Sequence, residues 1–264
     1  MSGILNGKRA LVFGATGSIG AAVAKEFAFE GADVYLSGRS GSRVEETARN
    51  LGVGGGRAAV VDVSDPLAVD AYVEAIAQKT GGIDVVFNAA GPQPQDYGNG
   101  KFAVDSSLDE FTVALDRVVK WQYITARAAA RQMTKQRSGV ILFQTGSPAR
   151  GHVNGATAIG AAFGAIESLA ENLAFEIGPG GVRVVCLRTT ANTDTVVIQQ
   201  TAELVAGIQG TTKEQVLGFL ANLNFLKTNM SVVDTARALA FLGSDRARMF
   251  TGTVVNSSAG AALD

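Results

Sequence analysis

Near the start of the chain the run Ala10-Leu11-Val12-Phe13-Gly14-Ala15-Thr16-Gly17-Ser18-Ile19-Gly20 leads a short apolar strand into a glycine-rich turn and then a helix of small residues, Ala21, Ala22, Val23 and Ala24. Backbone amides at such a turn face an anion, and a missing Cβ lets a pyrophosphate approach. Gly14, Thr16, Gly17, Ser18, Ile19 and Gly20 are therefore candidate dinucleotide-binding residues. A second strand ends about twenty residues on in Leu36-Ser37-Gly38-Arg39-Ser40-Gly41-Ser42-Arg43, with no carboxylate to accept from an adenosine ribose. Ser37, Arg39 and Arg43 can instead surround a 2′-phosphate, which favours NADP(H) and leaves NAD(H) possible. The alternative is that the two arginines only solvate a turn and a helix.

Proton-transfer chemistry has fewer candidates. Ser147 and His152 lie between a strand end and a long helix. Ser147 can orient an oxygen, and His152 can move a proton near neutral pH. Asp194 and Lys120 are further candidates that a surface ion pair explains as readily. With one cysteine and one histidine, the chain has neither an intrachain disulfide nor a multi-thiolate or His-rich metal site, so no metal is expected. Cys186 stands inside an apolar strand and reads as a packed small hydrophobe. Ser147 sits in Thr-Gly-Ser-Pro, which is not a nucleophile elbow.

The elements that must hold these residues are legible from patterning. Of 264 residues 47% are hydrophobic and 18% charged, enough for one large core and not for a disordered chain. Lys plus Arg (23) balance Asp plus Glu (24), so there is no field for nucleic acid, and no segment supplies the roughly 20 consecutive apolar residues of a membrane span. The start lacks the pattern of a signal peptide, and a cytoplasmic location is the expectation. Strands are expected at 10–13, 33–37, 58–61, 85–88, 140–145, 182–187 and 253–256, and helices at 18–30, 43–50, 67–79, 108–136, 156–177 and 232–242. Uniformly apolar strands alternating with helices predict a single-domain α/β fold in three layers, with a doubly wound, mainly parallel sheet. Two excursions, 91–107 and 189–229, supply the walls and a lid for a cleft at the strand ends. The second is expected to carry helices at 194–206 and 213–225.

Together these residues resemble the short-chain dehydrogenase/reductase superfamily over roughly Gly7 to Ala261. The resemblance rests on the Gly14-to-Gly20 turn, Asp62-Val63, Asn88-Ala89-Ala90-Gly91, Glu176-Ile177-Gly178-Pro179 before Gly181-Val182-Arg183-Val184, and the terminal Phe241-Leu242-Gly243-Ser244-Asp245 and Phe250-Thr251-Gly252. It implies a seven-stranded Rossmann sheet, Asp62 and Val63 near the adenine, Asn88, Ala89, Ala90 and Gly91 beside the cofactor, and Thr189 and Thr190 near its carboxamide end. It also implies a homodimer or homotetramer acting on a small-molecule substrate.

The departures are as informative. Ser18 stands where a glycine is usual, and Thr189-Thr190 replace the usual Pro-Gly. Registering the long helix on Leu173 to Ile177 puts Ile159 at the family tyrosine, Phe163 at the lysine, Gly146 at the serine and, on the preceding helix, Val118 at the asparagine. Ile159, Phe163, Ile166, Ala170, Leu173 and Ile177 form one apolar stripe. Tyr72, Tyr97 and Tyr123 have no lysine four residues later. Three functions follow. The first is an NADP(H)-dependent oxidoreductase acting on a small or medium carbonyl or conjugated substrate by a non-standard proton path. The second is a redox-neutral cyclase, isomerase or dehydratase, and the third a catalytically inactive ligand sensor or assembly protein.

Overall fold

The computed structural model describes residues 3–54, 56–151 and 153–263. His152 lies outside the described residues. Seven strands, β1 (Arg9–Phe13), β2 (Asp33–Gly38), β3 (Ala58–Val60), β4 (Val85–Asn88), β5 (Gly139–Gly146), β6 (Val182–Thr189) and β7 (Thr253–Ser257), form one sheet in the order 3-2-1-4-5-6-7, every neighbouring pair parallel. The chain starts in the middle, winds outward to β3, returns to β4 and winds to the other edge. The order therefore reverses between β1 and β4, where a crevice opens at the carboxyl ends of the strands.

Both sheet faces are covered, which is why the strands read as unbroken apolar runs. Leu11, Phe13, Val86, Ile141, Phe143, Val184 and Cys186 point to one side, under α3 (Pro66–Thr80), α5 (Lys120–Gln136) and α6 (Thr157–Ile177). Ala10, Val12, Val85, Phe87, Val140, Leu142, Val185 and Leu187 point to the other, under α1 (Ser18–Phe29), α2 (Gly41–Asn50) and α9 (Val232–Gly243). The remaining helices are the short α4 (Leu108–Val113) before α5 and the pair α7 (Val196–Gln209) and α8 (Lys213–Asn222) in the late excursion.

Two expectations are corrected. The helix over 108–136 is interrupted by a π turn at Ala114–Val119, which admits one extra residue per turn and carries Val118. The late-excursion helix starts at Val196, not Asp194, because the Asp194 carboxylate accepts from the Val232 amide (3.0 Å) at the start of α9. Among the described residues no helix is long and apolar enough to cross a membrane.

Candidate functional site

A cleft of about 920 Å³ runs across the carboxyl ends of the strands. At one end β1 passes into the glycine turn. Gly14 has φ +69°, and a Cβ there would lie 2.6 Å from the Ala90 amide nitrogen; a Cβ on Gly20 would lie 2.3 Å from the Gly14 carbonyl oxygen. These two glycines are demanded by the protein's own backbone. Gly17 is different, since a Cβ there would make only a 3.6 Å contact with Gly14 O. It lines the cleft, so its bare backbone leaves room for what occupies the cleft. Helix α1 begins here with no side-chain cap and no acidic residue in its first turn, leaving its amides and the positive end of its dipole to an outside anion.

Most of the predicted cofactor residues are brought together. Gly14, Thr16, Gly17, Ser18, Ile19, Arg39, Arg43, Asp62, Val63, Asn88, Ala89, Ala90, Gly91, Thr189 and Thr190 all line the cleft. Gly20 and Ser37 do not. Gly20 packs beneath the turn, and Ser37 is fully buried because strand alternation sends its side chain to the same face as Tyr35. Arg39 and Arg43 are exposed at the mouth, Arg43 donating to Thr16 O (3.3 Å). The Asp62 carboxyl is held below the usual carboxylate range by the Ser64 amide (2.9 Å) and hydroxyl (2.8 Å), and then by the charge of Arg39. Ser18 does more than crowd the turn: its Oγ accepts from the first amide of α7, Val196 N (3.1 Å), joining the phosphate turn to the late excursion.

Asn88 fixes the middle of the cleft. Its Nδ2 donates to Trp121 O and to Thr125 Oγ1 (both 3.2 Å), and its Oδ1 accepts from Ala90 N (2.8 Å). Gln122 Nε2 donates to Asn88 O (3.0 Å). This network holds the Asn88-to-Gly91 turn against α5.

At the other end stand the four substituted positions. Val118, Gly146, Ile159 and Phe163, the positions singled out by the registers of the two helices, all line the cleft. A Cβ on Gly146 would lie 3.1 Å from Phe163 Cε2, which means that the ring lies over the bare glycine. A phenol, its neighbouring ammonium and a serine hydroxyl are thereby replaced by an apolar wall that Ile166 continues. Ser147 lines the cleft beside Gly146 and is buried. Thr189 Oγ1 donates to Thr145 O (3.2 Å) and accepts from Gln144 Nε2 (3.3 Å), while the buried Thr190 Oγ1 has no partner. Asp194 is engaged at α9, and Lys120 pairs with Asp116 on the surface (3.4 Å). Neither lines the cleft. Cys186 is packed as expected, and burial pushes its thiol up to about 12.

Three features had no motif to announce them. Tyr97 reaches the cleft on the 91–107 excursion, and burial raises its phenol well above the ordinary value. Gln122 lies against the Asn88 turn with its Oε1 unpartnered. Behind the apolar wall, Arg188 of β6 makes a two-pronged bond to Glu167 of α6 (Nε to Oε1 and Nη2 to Oε2, both 2.8 Å), both residues almost fully buried, with Thr145 Oγ1 donating to the same carboxylate (2.9 Å). Arg150, on the turn that follows Ser147, approaches Glu167 at 3.6 Å. A polar residue on the sheet-facing side of a helix was the available signal for Gln122 and Glu167.

The fold and the glycine cradle define a doubly wound α/β protein with a dinucleotide cleft at its topological switch point. A family model described as enoyl-(acyl carrier protein) reductase matches residues 14–262. Oxidoreductase UcpA of Escherichia coli O157:H7 is 30% identical over 260 residues, 95% of this chain and 93% of that protein. A 3-ketoacyl-(acyl-carrier-protein) reductase from Brucella melitensis, solved with NADH, superposes with TM-score 0.81 at 27% identity, covering 98% of this chain and 100% of the other. Sorbitol-6-phosphate 2-dehydrogenase from Erwinia amylovora shares the fold with TM-score 0.87 at 22% identity, over 97% and 100% of the two chains. The chain belongs to the short-chain dehydrogenase/reductase superfamily. It is accordingly an NAD(P)H-dependent oxidoreductase acting on a small organic carbonyl compound. Members of this family bind small-molecule substrates and assemble into oligomers.

Proposed function

We propose that the protein binds NADP(H) in preference to NAD(H) and reduces a small or medium carbonyl or conjugated compound without a phenol–ammonium pair. The observation that carries this is the continuity of one cleft from Arg39 and Arg43, past the glycine turn, to the Gly146–Phe163 wall. Arg39 and Arg43 hold the 2′-phosphate, the turn and the first amides of α1 the pyrophosphate, and Thr190 the carboxamide end. When bound, the reduced nicotinamide supplies a hydride to the electrophilic carbon, and a proton must reach the carbonyl oxygen. The apolar wall excludes water from that point and orients the substrate, Ser147 donates to its oxygen, and His152, five residues further along the sequence, delivers the proton. Residues 189–229 close over the cleft as a lid, and the protein works in the cytoplasm as a homodimer or homotetramer.

Calorimetric titration of NADPH and NADH at matched ionic strength tests the cofactor reading. The expected result is about tenfold tighter binding of NADPH, ~1.4 kcal/mol, most of it removed by Arg39→Ala. Equal affinities overturn it. With a ligand recovered from extracted metabolites, His152→Gln should depress single-turnover reduction more than NADPH affinity, and Ser147→Ala less than His152→Gln. Unchanged chemistry in both variants would assign protonation to water or to the substrate.

A further inference from the structure

The two ends of the cleft differ in charge. Among the described residues that line it, the ionic groups are Arg39, Arg43 and Asp62, all at the end assigned above to the adenosine. The rest of the cleft is walled by apolar groups, Trp121, Val118, Ile159 and Phe163 among them, and by the neutral amides of residues such as Gln122 and Gln200. A carboxylate or phosphate brought there would lose hydration and meet no described counter-charge.

The amides also point to what a ligand must bring. Gln122 is 6% exposed, and its Oε1 has no hydrogen-bond partner. Its orientation is fixed by chemistry: the other end bonds the Asn88 carbonyl oxygen at 3.0 Å, and a carbonyl can only accept, so that end must be the NH₂. The free atom is therefore an acceptor, and a buried acceptor is satisfied only by a donor; because Oε1 is covered, the Gln122 side chain must turn toward the ligand to meet one. Gln200 of the α7 helix repeats the pattern, with an unpartnered buried Oε1 in a residue that lines the cleft.

We infer that the reaction end of the cleft selects an uncharged ligand that carries a hydroxyl or N–H donor on an apolar body, that Gln122 reads the donor, and that carboxylated or phosphorylated compounds are rejected. The inference rests on the proposed function in giving the Arg39 end to the cofactor. It excludes substrates handled through an anionic terminus and points to alcohol- or amide-bearing ketones.

Three ketones of matched size test it: 4-(hydroxymethyl)acetophenone, its methyl ether 4-(methoxymethyl)acetophenone, and 4-acetylbenzoate. Each is titrated calorimetrically into the full chain at pH 8, where an ordinary imidazole is neutral. Titrations are run with saturating NADPH and, in parallel, without it. Trp121, the single tryptophan, reports by fluorescence whether the probe enters the cleft. The alcohol should bind at least tenfold tighter than the carboxylate and several-fold tighter than the ether. Gln122→Leu should erase the alcohol–ether difference. Gln200→Lys, on the partly exposed α7 helix and with the fold checked by circular dichroism, should raise carboxylate affinity at least fivefold. Equal or tighter binding of the carboxylate, an alcohol–ether ratio unchanged by Gln122→Leu with the fold intact by circular dichroism, or binding of none of the three overturns the inference. Failure of NADPH to bind would overturn the proposed function instead, and the alcohol–ether ratio with its loss in Gln122→Leu, which does not involve the Arg39 end, would still decide this one.

Discussion

The two ends of one cleft have been treated differently. At the glycine-turn end the work falls to backbone: Gly14 with its positive φ, Gly20 against the Gly14 carbonyl, and the uncapped start of α1. At the reaction end it falls to side chains, and there a ring and a branched alkyl group stand at the positions of an ammonium and a phenol. Backbone geometry is set by the fold, so it survives as long as the fold does. Side-chain chemistry is lost residue by residue while the helix that carries it stays in place. The family architecture therefore fixes the glycine cradle, while the proton path depends on individual side chains.

The comparison is sharpened most by attacking the structure behind the reaction end. Glu167→Ala removes the carboxylate from a guanidinium that is 1% exposed and from the Thr145 hydroxyl, and should cost about 3–5 kcal/mol in urea unfolding. NADPH affinity of the remaining folded protein should change less than threefold. A large affinity loss would mean that the two ends are not separable.

Gly14→Ala attacks the other end. The new methyl group meets the Ala90 amide and the positive φ is strained, so NADPH affinity should fall at least 100-fold, about 2.7 kcal/mol, by calorimetry. Gly17→Ala makes the contrast internal to the turn: it should leave thermal stability within about 0.5 kcal/mol while still weakening NADPH, because its Cβ meets only Gly14 O at ordinary distance.

Smaller is the effect expected from restoring the missing groups. Ile159→Tyr combined with Phe163→Lys places a phenol and an ammonium on an apolar wall, with Val118 and Gly146 still in place. Turnover of simple ketones should stay within about tenfold of the parent in a variant shown to be folded. Strong activity would show that Val118 and Gly146 do not prevent the standard chemistry.

The smallest effect serves as a control at the amino-terminal edge of the sheet, away from the cleft. Burial pushes the Asp84 carboxyl up, but the Arg9 hydrogen bonds (2.6 and 2.8 Å) and charge more than offset that and hold it below the ordinary value. A depressed folded-state pKa contributes stability above the unfolded value of about 3.8 that is lost as pH falls through the folded one. Asp84→Asn should therefore be less stable than the parent at pH 7 by about 1 kcal/mol, the gap closing below about pH 4, with NADPH affinity unchanged.

Most of the sheet was legible because the apolar runs of buried parallel strands are bounded by turn residues. All seven strands appear where patterning puts them, extended by one or two residues at β1, β2, β5, β6 and β7. The π turn was hidden: a single extra residue inside 108–136 does not disturb the apolar spacing enough to register. Ser37 was misplaced because nearness to a strand end says nothing of the face, which the alternation with Tyr35 decides. The four substituted positions were legible because the helix register carried them, whereas Gln122 sits in no motif and Tyr97, lacking a lysine four residues later, shows no signal beyond its residue type. Arg188 and Glu167 are brought together only by the packing of α6 on β6, which no local spacing announces.

The contact between Gly146 and Phe163 makes those two substitutions interdependent. A serine at 146 alone would need the ring edge to give by a few tenths of an ångström, since its Cβ would stand 3.1 Å from Phe163 Cε2, and a lysine at 163 alone would uncover the glycine and set a charge in an apolar wall. Each exchange changes what the other meets, so the two positions form one unit, and Ile159 and Val118 add two further steps between this wall and the standard chemistry.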